Sequence, residues 1–211
     1  MCDTYNLDIL IKRLIDSLKK NNIDALYFSN RKEAVDQILN LIPEGSSVAY
    51  GGSLTIDELG LKEIFKKGNY NFIDRGKANI RADEMFALRR ESLLADFFVC
   101  STNALTLDGE LVNIDGVGNR VAALAFGPRK VIVVTGINKI VENLDKALER
   151  IRNKVAPIHA RRRGRKVPCA YSGFCSDCRS PERICNIISI IKYQRERGRL
   201  LVIIIGEALG L

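Results

Sequence analysis

Short apolar runs rich in β-branched residues alternate with amphipathic segments along this chain, and that alternation constrains the fold more than any other feature. Ala25–Phe28, Ser47–Tyr50, Tyr70–Ile73, Asp96–Cys100, Lys130–Thr135 and Leu200–Ile205 are each too short to be helices and read as strands. Between them lie helical patterns. Leu7, Leu10, Ile11, Leu14, Ile15 and Leu18 recur at helical spacing, with Lys12, Arg13, Asp16, Lys19 and Lys20 opposite, and Asn21-Asn22 ends that helix. Asn30 is an N-cap candidate for a helix through Leu41, and Pro43-Glu-Gly45 turns into the next strand. Further helices are expected near Thr55–Lys66, Asp83–Leu94, after Asn119 and at Leu144–Arg152. The implied fold is α/β, a mainly parallel, Rossmann-like sheet flanked by helices, with Lys130–Thr135 as its central strand.

At 211 residues the chain has room for one substantial domain and a small appendage. Its longest apolar stretch, Leu200–Ile205, is strand-sized, so no membrane span is expected. The first residues lack the basic and apolar regions of a signal peptide, which points to the cytoplasm. From Ala156 the character changes: Pro157, Gly164, Pro168, Gly173 and Pro181 interrupt regular structure among arginines and cysteines. Asn186–Arg197 reads as helical before the last strand. The expected organisation is an α/β domain over residues 1–155, a basic, Cys-rich insertion over 156–186, and a helix and strand over 187–211 that return to the sheet.

The stretch Ser101–Arg120 carries the strongest functional signal. It leaves an apolar strand and gathers three asparagines, two aspartates, three glycines and an arginine within twenty residues. A hairpin on Asp108-Gly109 and a turn at Asp115-Gly116 account for the glycines and aspartates. They do not account for Asn103, Asn113, Asn119 and Arg120, which favour a ligand site that also uses Gly116 and Gly118. A second candidate wall is Tyr50-Gly-Gly-Ser-Leu-Thr55, a strand, glycine turn and helix start. Gly51 and Gly52 there would let an anion approach backbone N–H groups, with Ser53 and Thr55 adding hydroxyls; simple helix capping is the plainer alternative. With no lysine after the glycines, this is neither a P-loop nor a dinucleotide fingerprint.

Asp83, Glu84, Asp108 and Asp115 lie in or near loops, and Asp115 and then Glu84 are the candidates for acid–base chemistry. The single histidine, His159, reads as solvated or structural. Cys2 and Cys100 are isolated, and Cys100 fits a small buried side chain. Cys169, Cys175, Cys178 and Cys185 follow a C-x5-C-x2-C-x6-C spacing that suits Zn²⁺ or an iron–sulfur cluster; a Cys175/Cys178 redox pair or plain thiols are the alternatives. Residues 150–199 hold fourteen Lys/Arg against three acids, a larger surplus than the whole chain's +8. The basic run Arg161–Lys166 would offset thiolate charge or form a solvated loop that docks an acidic partner. A nucleic-acid role is not needed to explain it, and no aromatic ladder supports one.

Three motifs, Gly51-Gly-Ser-Leu-Thr55, Thr102–Arg120 and Gly136-Ile-Asn-Lys139-Ile-Val141, resemble the lactate-utilisation (LUD) domain family over nearly the whole chain. The resemblance implies a fold akin to sugar-phosphate isomerases, glucosamine-6-phosphate deaminase and CoA transferases. It implies a link to the oxidation of lactate to pyruvate beside iron–sulfur or other oxidoreductase partner subunits. It also implies an anion held by Gly51, Gly52, Ser53 and Thr55. The cysteine segment matches only a subset of family-like chains, and the ferredoxin-type pattern of the iron–sulfur partners is absent. The expectation is a protein that binds a small anionic metabolite of lactate or related hydroxy-acid metabolism, using those residues with Asn103, Asn113, Asn119, Arg120, Asn138 and Lys139. The alternative is a non-catalytic assembly or electron-transfer subunit built on the four-cysteine site. Either is compatible with a homo-oligomer.

Overall fold

The computed structural model describes residues 2–76 and 79–211, with side chains from residue 7 onward, so that of Cys2 lies outside the described ones. Among these residues, six strands form a parallel sheet in the order β1 (Asp24–Phe28), β10 (Leu200–Ile205), β7 (Lys130–Gly136), β4 (Phe97–Cys100), β2 (Ser47–Tyr50) and β3 (Asn71–Phe72). As expected, Leu200–Ile205 re-enters the sheet: Val202 lies between Ala25 of β1 and Val133 of β7.

Successive residues of β7 face opposite layers. Val131 and Val133 pack with Ile11, Leu14 and Leu18 of α1 (Cys2–Lys20) and with Ala123 and Leu124 of α6 (Asn119–Ala125). Ile132 and Val134 meet Ala34 and Ile38 of α2 (Arg31–Leu41), Ile56 of α3 (Leu54–Glu58), and Leu61 and Phe65 of α4 (Leu61–Lys67). Burial on both faces is why this strand reads as one apolar run. Each such side chain contributes roughly 1.5–3 kcal/mol on burial. Local signals hold the helix ends: Asn30 Oδ1 accepts from the Glu33 N–H at 3.0 Å, and Asn22 takes a left-handed φ of 58° after α1.

Three expectations give way. The helix over Thr55–Lys66 is two helices, because Gly60 takes φ 67° and separates α3 from α4. Pro157 does not break the chain. A π-helical turn, Ile151–Val155, joins α7 (Leu144–Arg150) to α8 (Ala156–Arg162), and the wider turn accommodates a ring that has no N–H and would crowd a regular helix. The expected boundary at residue 155 therefore falls within continuous helix. Asn186–Arg197 is not helical: Ile187–Ile191 forms β9, antiparallel to β6 (Leu111–Asp115). Four of its five residues are isoleucines, whose stiff side chains suit a strand. β9 completes a second sheet of order β8 (Ile140–Val141), β5 (Ala104–Thr106), β6 and β9. β5 and β6 form the hairpin on Asp108-Gly109, where Gly109 has φ 79°. Among the described residues, no helix is long and apolar enough to cross a membrane.

Candidate functional site

The carboxyl ends of β2, β4 and β7 converge on one cavity of about 510 Å³. That size suits a small molecule, and strand carboxyl ends are where α/β sheets place ligands. Gly52, Ser53 and Thr55 follow β2, Ser101–Asn103 follow β4, and Lys139 ends the 3-10 turn Ile137–Lys139 after β7. Asp115 and Gly116 form a further wall. Ser53 holds the N-cap position of α3 but makes no side-chain cap bond, so its hydroxyl is not committed to the helix. α3 is only five residues long, which limits the dipole it can offer an anion.

The polar residues of Ser101–Arg120 mostly serve each other. Arg120 Nη1 donates to Ser101 O at 3.0 Å and to Asn113 Oδ1, while Nη2 donates to Asn103 Oδ1 at 2.9 Å and to Ile114 O at 2.6 Å. Asn103 Oδ1 also accepts from the Ile114 N–H, and Asn113 Oδ1 from the Asn103 N–H. The guanidinium thus ties the β4 exit to β6. Gly51 belongs to the same packing: a Cβ there would lie 2.9 Å from Cys100 Cβ and 3.1 Å from Arg120 Cδ. Asp115 lines the cavity and caps α6, its Oδ2 accepting from the Arg120 and Val121 N–H groups at 3.1 and 3.3 Å. Asn119, with its amide oxygen turned towards donors, accepts from Arg75 Nη1 at 3.0 Å.

Other candidates lie elsewhere. Glu84 is exposed on α5 (Ala82–Glu91) and does not line the cavity. Asp83 pairs with Arg81 at the surface, and Asp108 sits in the hairpin turn. Asn138 clamps the backbone of Leu209, and Gly118, at φ 88°, starts α6 against Ile187. Cys100 is the small buried side chain expected, and burial pushes its thiol up to about 12.

Lys139 is 4% exposed. Its Nζ donates to Thr55 Oγ1 at 2.6 Å and to Ser101 Oγ at 2.9 Å. Burial first, then Arg150 and Arg120, lower its pKa from 10.5 to about 7. From sequence alone Arg75 and Arg89 have no expected role, and His159, Arg163 and Arg165 have other roles, yet all five lie on the cavity wall. The Arg163 guanidinium reaches within 3.6 Å of where a Gly52 Cβ would stand. His159, half-buried on α8, is held below its usual 6.5 by burial, with Arg163, Arg162, Arg120 and Arg165 adding to the effect. The local charge excess was the available signal, but only the fold turns part of it inward.

The sequence profile of the LUD domain matches residues 11–205. The chain belongs to the LUD-domain family. No curated protein matches the sequence. Solved structures similar to it include a DUF162 family protein from Deinococcus radiodurans (14% identity, 94% of this chain and 98% of that one, TM-score 0.48). Others are eIF2B delta from Chaetomium thermophilum (18%, 67% and 54%, 0.37) and ribose 5-phosphate isomerase from Plasmodium falciparum (12%, 54% and 52%, 0.34). The chain spans about half the length of these last two.

In this LUD domain the cysteine segment packs beside the cavity. Cys169 is buried with Ala160, Val167 and Ala170, and Cys178 and Ile184 pack against them. The Asp177 N–H points at Cys175 Sγ at 3.4 Å, and Arg183 donates to the carbonyls of Cys178 and Cys185. Among the described residues, no three His, Cys, Asp or Glu side chains converge closely enough to hold a metal ion. Ile184 lines the cavity next to Gly116, and Asn186 Nδ2 donates to Gly116 O at 2.9 Å. Several arginines of the basic segment are spent on main-chain carbonyls: Arg161 on Ala170, and Arg199 on Ala123 and Leu124 at the end of α6.

Proposed function

We propose that this LUD domain binds a small anionic metabolite, a carboxylate or phosphorylated compound of lactate or related hydroxy-acid utilisation, in the cavity at the strand ends. One observation carries the reading: among the described residues the wall holds Lys62, Arg75, Arg89, Arg120, Arg163 and Arg165 against only two acidic side chains, Asp57 and Asp115. A concave surface with that imbalance concentrates anions. Arg163 offers a planar fork suited to carboxylate or phosphate oxygens, whereas Arg75 is tied to Tyr50 O and the Asn119 amide. Ser53 and the hydroxyls of Thr55 and Ser101 supply neutral donors, while Arg120 with Asn103 and Asn113 hold the wall in shape. Asp115 keeps the loop and α6 in register and is the carboxylate available for proton transfer. Calorimetric titration with lactate, pyruvate, inorganic phosphate and a sugar phosphate tests this. Binding that weakens with salt and in Arg163→Ser supports it; absence of heat with every anion, or affinity indifferent to that substitution, overturns it.

A second reading, an assembly or electron-transfer subunit with a thiolate-held metal or iron–sulfur cluster, is favoured by the packing of Cys169 with Cys178 and by the N–H directed at Cys175 Sγ. Closing four thiolates round an ion requires the segment to tighten from the arrangement described. Arg183, beside Cys178 and Cys185, would offset part of the thiolate charge. Metal analysis and a visible spectrum of anaerobically purified protein decide it: a stoichiometric metal supports the reading, and a colourless, metal-free, folded protein removes it.

A further inference from the structure

We infer that the Lys139 amine is a carbonyl-reactive group, which forms an imine with the C2 carbonyl of a 2-oxo carboxylate seated in the cavity. The inference rests on the anion-binding reading of that cavity and gives it a substrate class.

The geometry argues for a neutral amine. Lys139 Nζ makes two hydrogen bonds among the described residues, donating at 2.6 Å to Thr55 Oγ1 and at 2.9 Å to Ser101 Oγ. A neutral amine has two N–H groups, so these bonds use both and leave the lone pair as the free direction. An ammonium would carry a third N–H with no protein acceptor among the described residues. No ion pair joins Lys139 to a carboxylate among the described residues. The titratable groups that act on it are Arg150 and Arg120, which disfavour its charge, and Glu58 and Cys100, which favour it. Burial dominates, and the amine titrates near neutrality instead of at 10.5. A lysine in that state contributes little to holding an anion but is a good nucleophile.

The remaining requirement is an anchor for the substrate. The Arg163 guanidinium lines the same cavity. A 2-oxo carboxylate fits this division of labour, its carboxylate on a guanidinium and the adjacent carbonyl presented to the amine. The step balances without a co-reactant. The nitrogen lone pair adds to C2, the carbon–oxygen double bond opens to a carbinolamine, and the carbonyl oxygen leaves as water with both amine protons. A carbon–nitrogen double bond remains.

The test uses pyruvate as the probe. The whole protein is incubated with pyruvate and cyanoborohydride at neutral pH, analysed by intact mass, and the modified residue is mapped by peptide sequencing. Pyruvate binding is measured separately by calorimetry. The expected result is one reduced carboxyethyl group per chain, on Lys139, suppressed by excess lactate and absent from Lys139→Gln. Mapping on the wild-type chain keeps the test decisive should that variant fail to fold. Pyruvate that binds but leaves no adduct, or an adduct spread over surface lysines, overturns the inference while the anion site stands. Trapping of dihydroxyacetone phosphate but not pyruvate overturns the 2-oxo acid assignment. If no anion binds at all, both readings fall.

Discussion

Arg120 has the hydrogen-bonding capacity its sequence context suggests and spends it inside the protein. The density of amides around it pointed to a ligand, yet four protein acceptors, Ser101 O, Asn113 Oδ1, Asn103 Oδ1 and Ile114 O, receive its guanidinium. A sequence states hydrogen-bonding capacity; which donor meets which acceptor depends on tertiary geometry. Arg120→Met should therefore destabilise the fold by about 2–3 kcal/mol, measured by urea unfolding, because half-buried acceptors lose their donor. Lys139 gives the opposite sign. Its folded pKa, about 7, lies below its unfolded 10.5, so the cost of burying its charge is fully present below pH 7. That cost is relieved as pH rises through this window, where the unfolded chain binds more protons. Lys139→Gln should be more stable than wild type by on the order of a few kcal/mol below neutrality, with the gap shrinking towards pH 10.5. A pH-independent difference would contradict the depressed folded pKa of Lys139, and with it the neutral amine.

At the scale of elements, the parallel strands were legible because β7 and β10 are buried on both faces and their apolar runs are short. β9 was not, since Ile187, Ile188, Ile190 and Ile191 satisfy a helical spacing as well as an extended one. The antiparallel register on β6, with Ile188 opposite Ile114, decides between them. Likewise no local signal marks the π-turn that carries the helix past Pro157. Two element-level predictions follow from the cavity walls. Asp115→Ala should cost about 1–2 kcal/mol of stability, because α6 loses the acceptor for its first N–H groups. Asp115→Asn keeps one acceptor oxygen and should recover part of that loss by thermal unfolding. Gly51→Ala should cost about 1–3 kcal/mol, since the added methyl meets Cys100 and Arg120 without changing charge.

For the whole molecule, part of the cavity wall was legible in the sequence and part was not. Gly52, Ser53, Thr55, Asn103, Asp115, Gly116, Asn119, Arg120 and Lys139 do line one cavity. Of the missing members, Arg75 and Arg89 come from between the two wall segments, while His159, Arg163 and Arg165 arrive from far along the chain, and only folding brings α8 across the strand ends. This also reassigns the basic surplus after residue 150: part of it caps carbonyls and part faces the cavity, so less of it is left as a free docking surface. Anion affinity should accordingly fall steeply as salt is raised, and neutralising Arg163 and Arg165 together should weaken phosphate binding at least tenfold by calorimetry, about 1.4 kcal/mol. The most direct test of the anion site is a crystal structure of the protein soaked with lactate, pyruvate or a sugar phosphate. The account predicts ligand density at the strand ends, with carboxylate or phosphate oxygens on Arg163 and the Asp115–Gly116 loop against it. Ligand bound elsewhere, with that loop facing a cavity free of it, would contradict the account.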